Sequence, residues 1–105
     1  MKLVSIQSPY AGNIERNVAY ARRALRDSLD LGEVPFASHL LYTQVLRDES
    51  PERQRALECD HAFLAKCDLV AFYADFGISP GMDEAMAKAD GLKIQMTIRY
   101  IGNCP

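Results

Sequence analysis

The stretch Asp68-Leu69-Val70-Ala71-Phe72-Tyr73-Ala74 constrains the fold more than any other part of the chain. A strand with one face in water alternates apolar and polar residues. This one is apolar at nearly every position and needs cover on both faces, which is the habit of parallel sheets sandwiched between helices. The rest of the sequence supplies the other parts of such a sheet. Lys2 to Ile6 is rich in aliphatics and reads as a first strand. Ser8-Pro9-Tyr10-Ala11-Gly12-Asn13 breaks it, and Asn13 suits the N-cap of a helix starting at Ile14. Ile14, Val18, Ala21, Leu25 and Leu29 recur at helical spacing and predict one apolar stripe, with Gly32 as the stop. Val34-Pro35-Phe36 is a short extended run that Pro35 confines to a sheet edge.

His39 to Leu46 predicts a turn or irregular helix. Ser50-Pro51-Glu52 predicts a helix with Ser50 as N-cap and Pro51 in its first turn, running to Lys66. Ser79 and Pro80 open another, which runs to Asp90 and stops at Gly91, and Lys93 to Ile101 reads as a last strand. With right-handed crossovers, this order of elements predicts an α/β fold. It is a flavodoxin/Rossmann-like open parallel four-stranded sheet in the order 2-1-3-4, with helices on both faces. A chain of 105 residues suffices for one domain, residues 1–105.

Composition excludes several kinds of partner. A formal net charge of -2 argues against a nucleic-acid binder that works by charge. No apolar run reaches the roughly 18 residues of a membrane span, and the amino terminus lacks a signal-peptide pattern. Cys59, Cys67 and Cys104 have no CxxC spacing and read as free thiols, so a cytoplasmic location is expected. Cys59, His61 and Cys67 offer no tight pair of metal ligands, and neither metal nor cofactor is expected.

Open α/β sheets bind ligands at the carboxyl ends of their strands, where the strand order reverses. Here that point lies between the first and third strands, where the loops Gln7–Asn13 and Asp75–Gly81 meet. Both loops lead into helix N-termini, which offer free N–H groups and a positive dipole end to a phosphate or carboxylate. Ser8, Pro9, Gly12 and Asn13 serve equally well as plain turn chemistry. In the helix from Gly81, the residues Met82, Ala85, Met86 and Ala89 form the expected buried stripe. Asp83 borders that stripe in the first turn, where the dipole favours an acid even without chemistry. Glu84 points away from it, with Lys88 at i+4 as an expected solvated ion pair. His39 follows the second strand, at the same end of the sheet, and stands as a candidate ligand contact or as a structural histidine. Asp68, ahead of the third strand, is a candidate cap or turn residue.

The segment Gly81-Met82-Asp83-Glu84-Ala85-Met86-Ala87-Lys88-Ala89-Asp90-Gly91 resembles the signature helix of nucleoside 2-deoxyribosyltransferases and related nucleotide N-glycosidases. That signature has a Gly-x-Glu start, a small residue four positions after the Glu, and a Gly that closes the helix. Gly81, Ala87 and Gly91 match in register. Cys67-Asp68-Leu69-Val70 resembles the family's Asp at the start of its core strand, and Ser8-Pro9-Tyr10 its Ser-Pro loop. Asp83 stands where the family carries Glu, and Ser5 where it has an aromatic residue in the first strand.

The resemblance implies cleavage or transfer at an N-glycosidic bond by a carboxylate set against an oxocarbenium-like sugar carbon. It implies Asp83 as nucleophile or electrostatic stabiliser, with the adjacent Glu84 as the other candidate. Asp68 would orient the sugar or move a proton. Asp75, Ser79, Gly81 and Met82 would line the base or sugar pocket. Ser8, Pro9, Tyr10, Gly12 and Asn13 would hold the ligand's polar end. The partner implied is a small nucleoside, nucleotide or nucleotide-derived molecule. The alternative reading is a non-catalytic binder of such a molecule on the same fold. A homo-oligomer, most simply a dimer, is expected from the apolar stretch Leu40, Leu41, Tyr42, Val45 and Leu46, with the tail near Asn103 completing a neighbour's site.

Overall fold

The computed structural model describes residues 1–102. The chain runs β1 (Leu3–Gln7), α1 (Ile14–Asp30), β2 (Val34–Phe36), α2 (Ser38–Leu41), a 3-10 turn (Tyr42–Gln44), α3 (Glu52–Leu64), β3 (Leu69–Tyr73), α4 (Pro80–Gly91) and β4 (Gln95–Arg99). The four strands are parallel, in the order β2-β1-β3-β4. All five residues of β3 are buried, as its continuous apolarity requires. Alternation along the strand divides them. Leu69, Ala71 and Tyr73 join Val4, Ile6, Tyr20 and Ala24 on the α1 side. Val70 and Phe72 pack on the other side against Leu64 of α3 and Met82, Ala85 and Ala89 of α4. Each large aliphatic or aromatic side chain taken fully from water here contributes about 1.5–3 kcal/mol.

The α1 stripe is rotated from its expected position. The buried residues are Asn17, Tyr20, Ala21, Ala24 and Ser28, while Ile14 and Leu29 stay exposed. Buried polar bonds set the rotation. Asn17 Nδ2 donates to the carbonyls of Tyr10 and Ala11 at 2.9 and 3.0 Å, and so satisfies the loop that feeds the helix. Ser28 Oγ donates to Glu33 Oε1 at 2.7 Å at the other end. Asn13 caps α1 as expected, its Oδ1 accepting from Arg16 N at 3.1 Å. Gly32 turns the chain out of α1 at φ 80°, a conformation that favours glycine.

Two other helix ends differ from expectation. Ser50 does not cap α3: the N-cap position belongs to Pro51 and carries no side-chain bond. Glu52 instead accepts from Arg47 N at 3.0 Å, tying down the segment before the helix. Gly91 does not stop α4 but is its last residue, and the left-handed turn that follows is taken by Lys93 at φ 59°.

The α1 side also carries a closed set of polar bonds. Arg99 Nη2 donates to Glu33 Oε2 at 2.7 Å, and Arg99 Nη1 donates to Glu33 Oε1 and to the Tyr73 hydroxyl at 2.8 and 3.0 Å. Tyr73 in turn donates to Asp27 Oδ2 at 2.7 Å. The Arg99 guanidinium holds the Glu33 carboxyl below its usual range, and burial pushes the Tyr73 hydroxyl up to about 12. Nearby, Tyr20 donates to Asp75 Oδ1 at 2.5 Å, and the Asp75 carboxylate accepts from the backbone of Ile101 and Gly102 at 3.0 Å.

Candidate functional site

The polar side chains at the end of β1 do not follow the apolar rule of β3. Ser5 and Gln7 point to the α3 side and are buried. Gln7 Nε2 donates to Ser5 Oγ at 3.0 Å and to both carboxylate oxygens of Asp60 at 3.2 Å. Asp60, on α3, is 6% exposed and also accepts from Ser38 Oγ at 2.6 Å. One residue further along each segment, Ser8 Oγ lies 2.6 Å from His39 Nε2. The end of β1 is thus joined to the start of α2 by two adjacent links, one of which runs through Asp60 of α3.

These links form one wall of a cavity of about 470 Å³ at the carboxyl ends of the strands. Gln7, Ser8, Tyr10, His39 and Asp60 border it, with Tyr42, Leu46, Ala56 and Leu57 as an apolar wall and Arg47, Asp48 and Arg53 also in its lining. The first turn of α4 closes the other side with Ser79, Pro80, Gly81, Met82 and Glu84. Ser79 Oγ accepts from Met82 N at 3.2 Å, which fixes that turn. The volume falls within the range of small-molecule sites.

Electrostatically the cavity is unsaturated. Among the described residues neither Asp60 nor Glu84 makes a salt bridge. Asp60 is held by neutral donors alone. His39 is pushed down to about 4 by burial, against the opposing pull of the Asp60 charge, so its imidazole is neutral near pH 7. Buried Asp60, neutral His39 and exposed Glu84 therefore share one space with Arg47 and the Arg53–Asp48 pair. Such a space can accept hydrogen bonds from a ligand's N–H or O–H and set a negative charge beside a developing positive one.

Of the residues singled out by sequence, Ser8, Tyr10, His39, Ser79, Gly81, Met82 and Glu84 meet at the cavity. The others lie elsewhere. Asp68 precedes β3, at the amino end of the sheet, and its Oδ2 accepts from Leu3 N at 2.8 Å. It is thus at the wrong end of the strand to touch a ligand in the cavity. Asp75 clamps the segment after β4. Burial raises its carboxyl, but hydrogen bonds from Tyr20, Ile101 and Gly102 outweigh that and hold it below the usual range. Pro9 is buried in the loop, Gly12 turns it at φ 98°, and Asn13 is the α1 cap.

Asp83 and Glu84 exchange places relative to expectation. Both are exposed, but Glu84 borders the cavity and Asp83 does not, and Glu84 makes no ion pair with Lys88 among the described residues. The cavity lies beside the α4 stripe, on the side that Glu84 occupies. Leu40 packs on the core and Tyr42 and Leu46 face the cavity, which leaves Leu41 and Val45 exposed at 48% and 78%. Asn103 and Cys104 lie outside the described residues. Among the described residues no group of three or more His, Cys, Asp or Glu side chains is placed to hold a metal ion. No described helix is long and apolar enough to cross a membrane.

Asp60, Gln7 and Ser38 were missed by sequence reasoning. The signal for Asp60 was present: Leu57, Asp60 and Leu64 share one helical face, so an acid stands among residues that must be buried.

The model of a family described as Domain of unknown function (DUF7768) matches residues 2–101. No curated protein sequence matches the chain. Among solved structures it is similar to a 2-deoxyribosyltransferase from Bacillus psychrosaccharolyticus. That similarity has a TM-score of 0.68 and 18% identity over 98% of this chain and 76% of that one. It is also similar to a 2-desoxiribosyltransferase from Leishmania mexicana, with a TM-score of 0.66 and 14% identity over 100% of this chain and 68% of the other. The fold is a 2-deoxyribosyltransferase-like α/β fold.

Proposed function

We propose that this chain, which belongs to the DUF7768 domain family, binds a nucleoside or nucleotide in the cavity and breaks or transfers its N-glycosidic bond. One observation carries the reading. A fold shared with 2-deoxyribosyltransferases brings carboxylates of different character, among them buried Asp60 and exposed Glu84, to one cavity at the carboxyl ends of the strands.

Departure of the base leaves positive charge on the sugar carbon and negative charge on the base. Glu84 is the carboxylate for the sugar carbon: it is unpaired among the described residues and stands on the rigid first turns of α4. It stabilises the oxocarbenium-like centre or closes on it as a covalent glycosyl ester, which water or a second base then resolves. Asp60 accepts a hydrogen bond from an N–H or O–H of the ligand, and Gln7 and Ser38 hold its oxygens in place. Ser8, Tyr10, Ser79, Gly81 and Met82 border the remaining ligand surface. Exposed Leu41 and Val45 beside this cavity support a homo-oligomer, which light scattering at micromolar concentration would read as at least twice the monomer mass.

A second reading, binding without turnover, is favoured by Asp83. The position where the resemblance sets the nucleophile holds a carboxylate that does not border the cavity. Chromatography of free base released from 2′-deoxynucleosides and their 5′-monophosphates, run beside thermal shift with the same compounds, separates the two. Base release with a thermal shift upholds the enzyme. A shift without release leaves only the binder, and neither removes both.

A further inference from the structure

We propose a second activity in the same cavity: Ser8 and His39 form a nucleophile–base pair that accepts the acyl group of a small carboxylic ester and hydrolyses it. Ser8 is 7% exposed at the point where β1 ends, and its Oγ lies 2.6 Å from His39 Nε2. Among the described residues Ser8 Oγ has no other hydrogen-bond partner, so its proton has one acceptor. In the Nδ1–H tautomer of the ring the hydroxyl donates this bond to Nε2, and that is the arrangement the activity uses. This separation lies within the roughly 2.6–3.2 Å that an activated hydroxyl and its base require.

The surroundings distinguish this hydroxyl from those of the closed set. The Tyr20 and Tyr73 hydroxyls are held by Asp75 and Asp27 in the closed set. Ser8 and His39 instead border the cavity, where a substrate carbonyl has room to approach. Burial disfavours the imidazolium that forms when His39 takes the proton, and the Asp60 carboxylate, on α3, offsets part of that cost. Gly81, the second residue of α4, also borders the cavity, and its N–H has no intrahelical acceptor. Tyr42, Leu46, Ala56 and Leu57 give an apolar wall for the acyl or alcohol portion.

The chemistry balances with ester and water alone. The Ser8 proton moves to His39 Nε2 as Oγ bonds to the carbonyl carbon. The bond to the alcohol oxygen breaks, and the alcohol leaves with the proton from Nε2. Water then adds to the acyl carbon and gives its proton to Nε2. The acid departs and Ser8 Oγ recovers its proton.

The test uses the full chain with a fluorophosphonate probe, peptide mass mapping of the adduct, and release of p-nitrophenol from p-nitrophenyl acetate. The expected result is one adduct on Ser8, none in Ser8→Ala, and a burst of one p-nitrophenol per chain before steady turnover. Folded His39→Gln should slow both reactions by about 10²–10⁴-fold, the usual contribution of a general base. No adduct at Ser8, or equal labelling of Ser8 in His39→Gln, overturns the proposal. Where a variant fails to fold, the labelling rate of Ser8 in the unmodified chain is compared with that of a free serine amide. A faster rate upholds the pair and an equal rate overturns it. Base release from deoxynucleosides reads separate chemistry, so each activity stands or fails alone.

Discussion

On the α1 side of the sheet, Arg99, Glu33, Tyr73 and Asp27 bond to one another, and Tyr20 and Asp75 do the same beside them. On the α3 side, at the end of β1, Asp60 is held only by Gln7 and Ser38, and Glu84 is unpaired among the described residues. The two regions use the same residue types. In the first, the charges meet opposite charges or phenol donors inside the chain, so its contribution is to stability. In the second, a buried carboxylate lacks a cation and a cavity stands where a partner would fit, which is how a site is left able to bind. An acid's presence near the ends of the strands does not separate the two roles; whether the fold has already partnered it does.

Breaking the closed region should give the largest effect. Arg99→Gln strands the Glu33 carboxylate, and the pair is only 17% and 14% exposed, so about 3–5 kcal/mol should be lost. Urea unfolding measures this, and ligand-induced thermal shift of the remaining folded protein should be unchanged. A loss below about 1 kcal/mol would mean the cluster is not the brace described, since exposed pairs are worth that little.

Glu84→Gln makes the opposite prediction. Base release should fall by about 10²–10³-fold, roughly 2.7–4 kcal/mol, with stability within ±0.5 kcal/mol. Asp83→Asn should leave both nearly as they are. Activity that survives Glu84→Gln and vanishes in Asp83→Asn would return the nucleophile to Asp83.

The two regions should also respond to acid in separate windows. His39 has its basicity lowered by folding, from 6.5 to about 4. The unfolded chain therefore binds more protons between those values. The His39 contribution is complete above pH 6.5 and is lost as pH falls toward 4, by at most roughly 3 kcal/mol. Glu33 and Asp75 are lowered carboxylates, so their contributions hold above their ordinary values of 4.5 and 3.8 and are lost only in stronger acid. Urea midpoints across this range should slope between pH 6.5 and 4 in the parent and be nearly flat there in His39→Gln, with the acid limb kept in both. A slope unchanged by His39→Gln would remove His39 from the account.

The smallest effect belongs to Asp68. Its bond to Leu3 N is exposed, so Asp68→Asn should cost no more than about 1 kcal/mol and leave base release unaltered. A large loss of turnover with normal stability would place Asp68 back in the chemistry.

Much of the architecture was legible in local patterns. The unbroken apolarity of Leu69–Ala74 specified a strand covered on both faces, Pro35 an edge, and Asn13 and Ser79 the caps of α1 and α4. The α1 stripe was misread because Asn17 and Ser28 are buried for their hydrogen bonds, which a count of apolar residues does not register. The site was half legible. Strand order pointed to the loops Gln7–Asn13 and Asp75–Gly81, and the cavity overlaps them at Gln7, Ser8, Tyr10, Ala11, Ser79, Pro80 and Gly81. The identity of its acids did not follow from strand order: Asp83 and Glu84 differ by about 100° around the helix, and the position of α3 decides which of the two meets a cavity.

The sequence by itself determined which segments are strands and helices, because those choices depend on periodicity and caps within a few residues, and right-handed crossovers then set the order in which the strands pair. Only the tertiary structure decided which charged groups are already satisfied. Gln7 reaches Asp60 across 53 positions of sequence, and Arg99 reaches Glu33 across 66. Coulombic attraction, desolvation and hydrogen bonding act through space at a few ångströms, so the division of this chain's acids into structural ties and free carboxylates exists only once the sheet has closed around them.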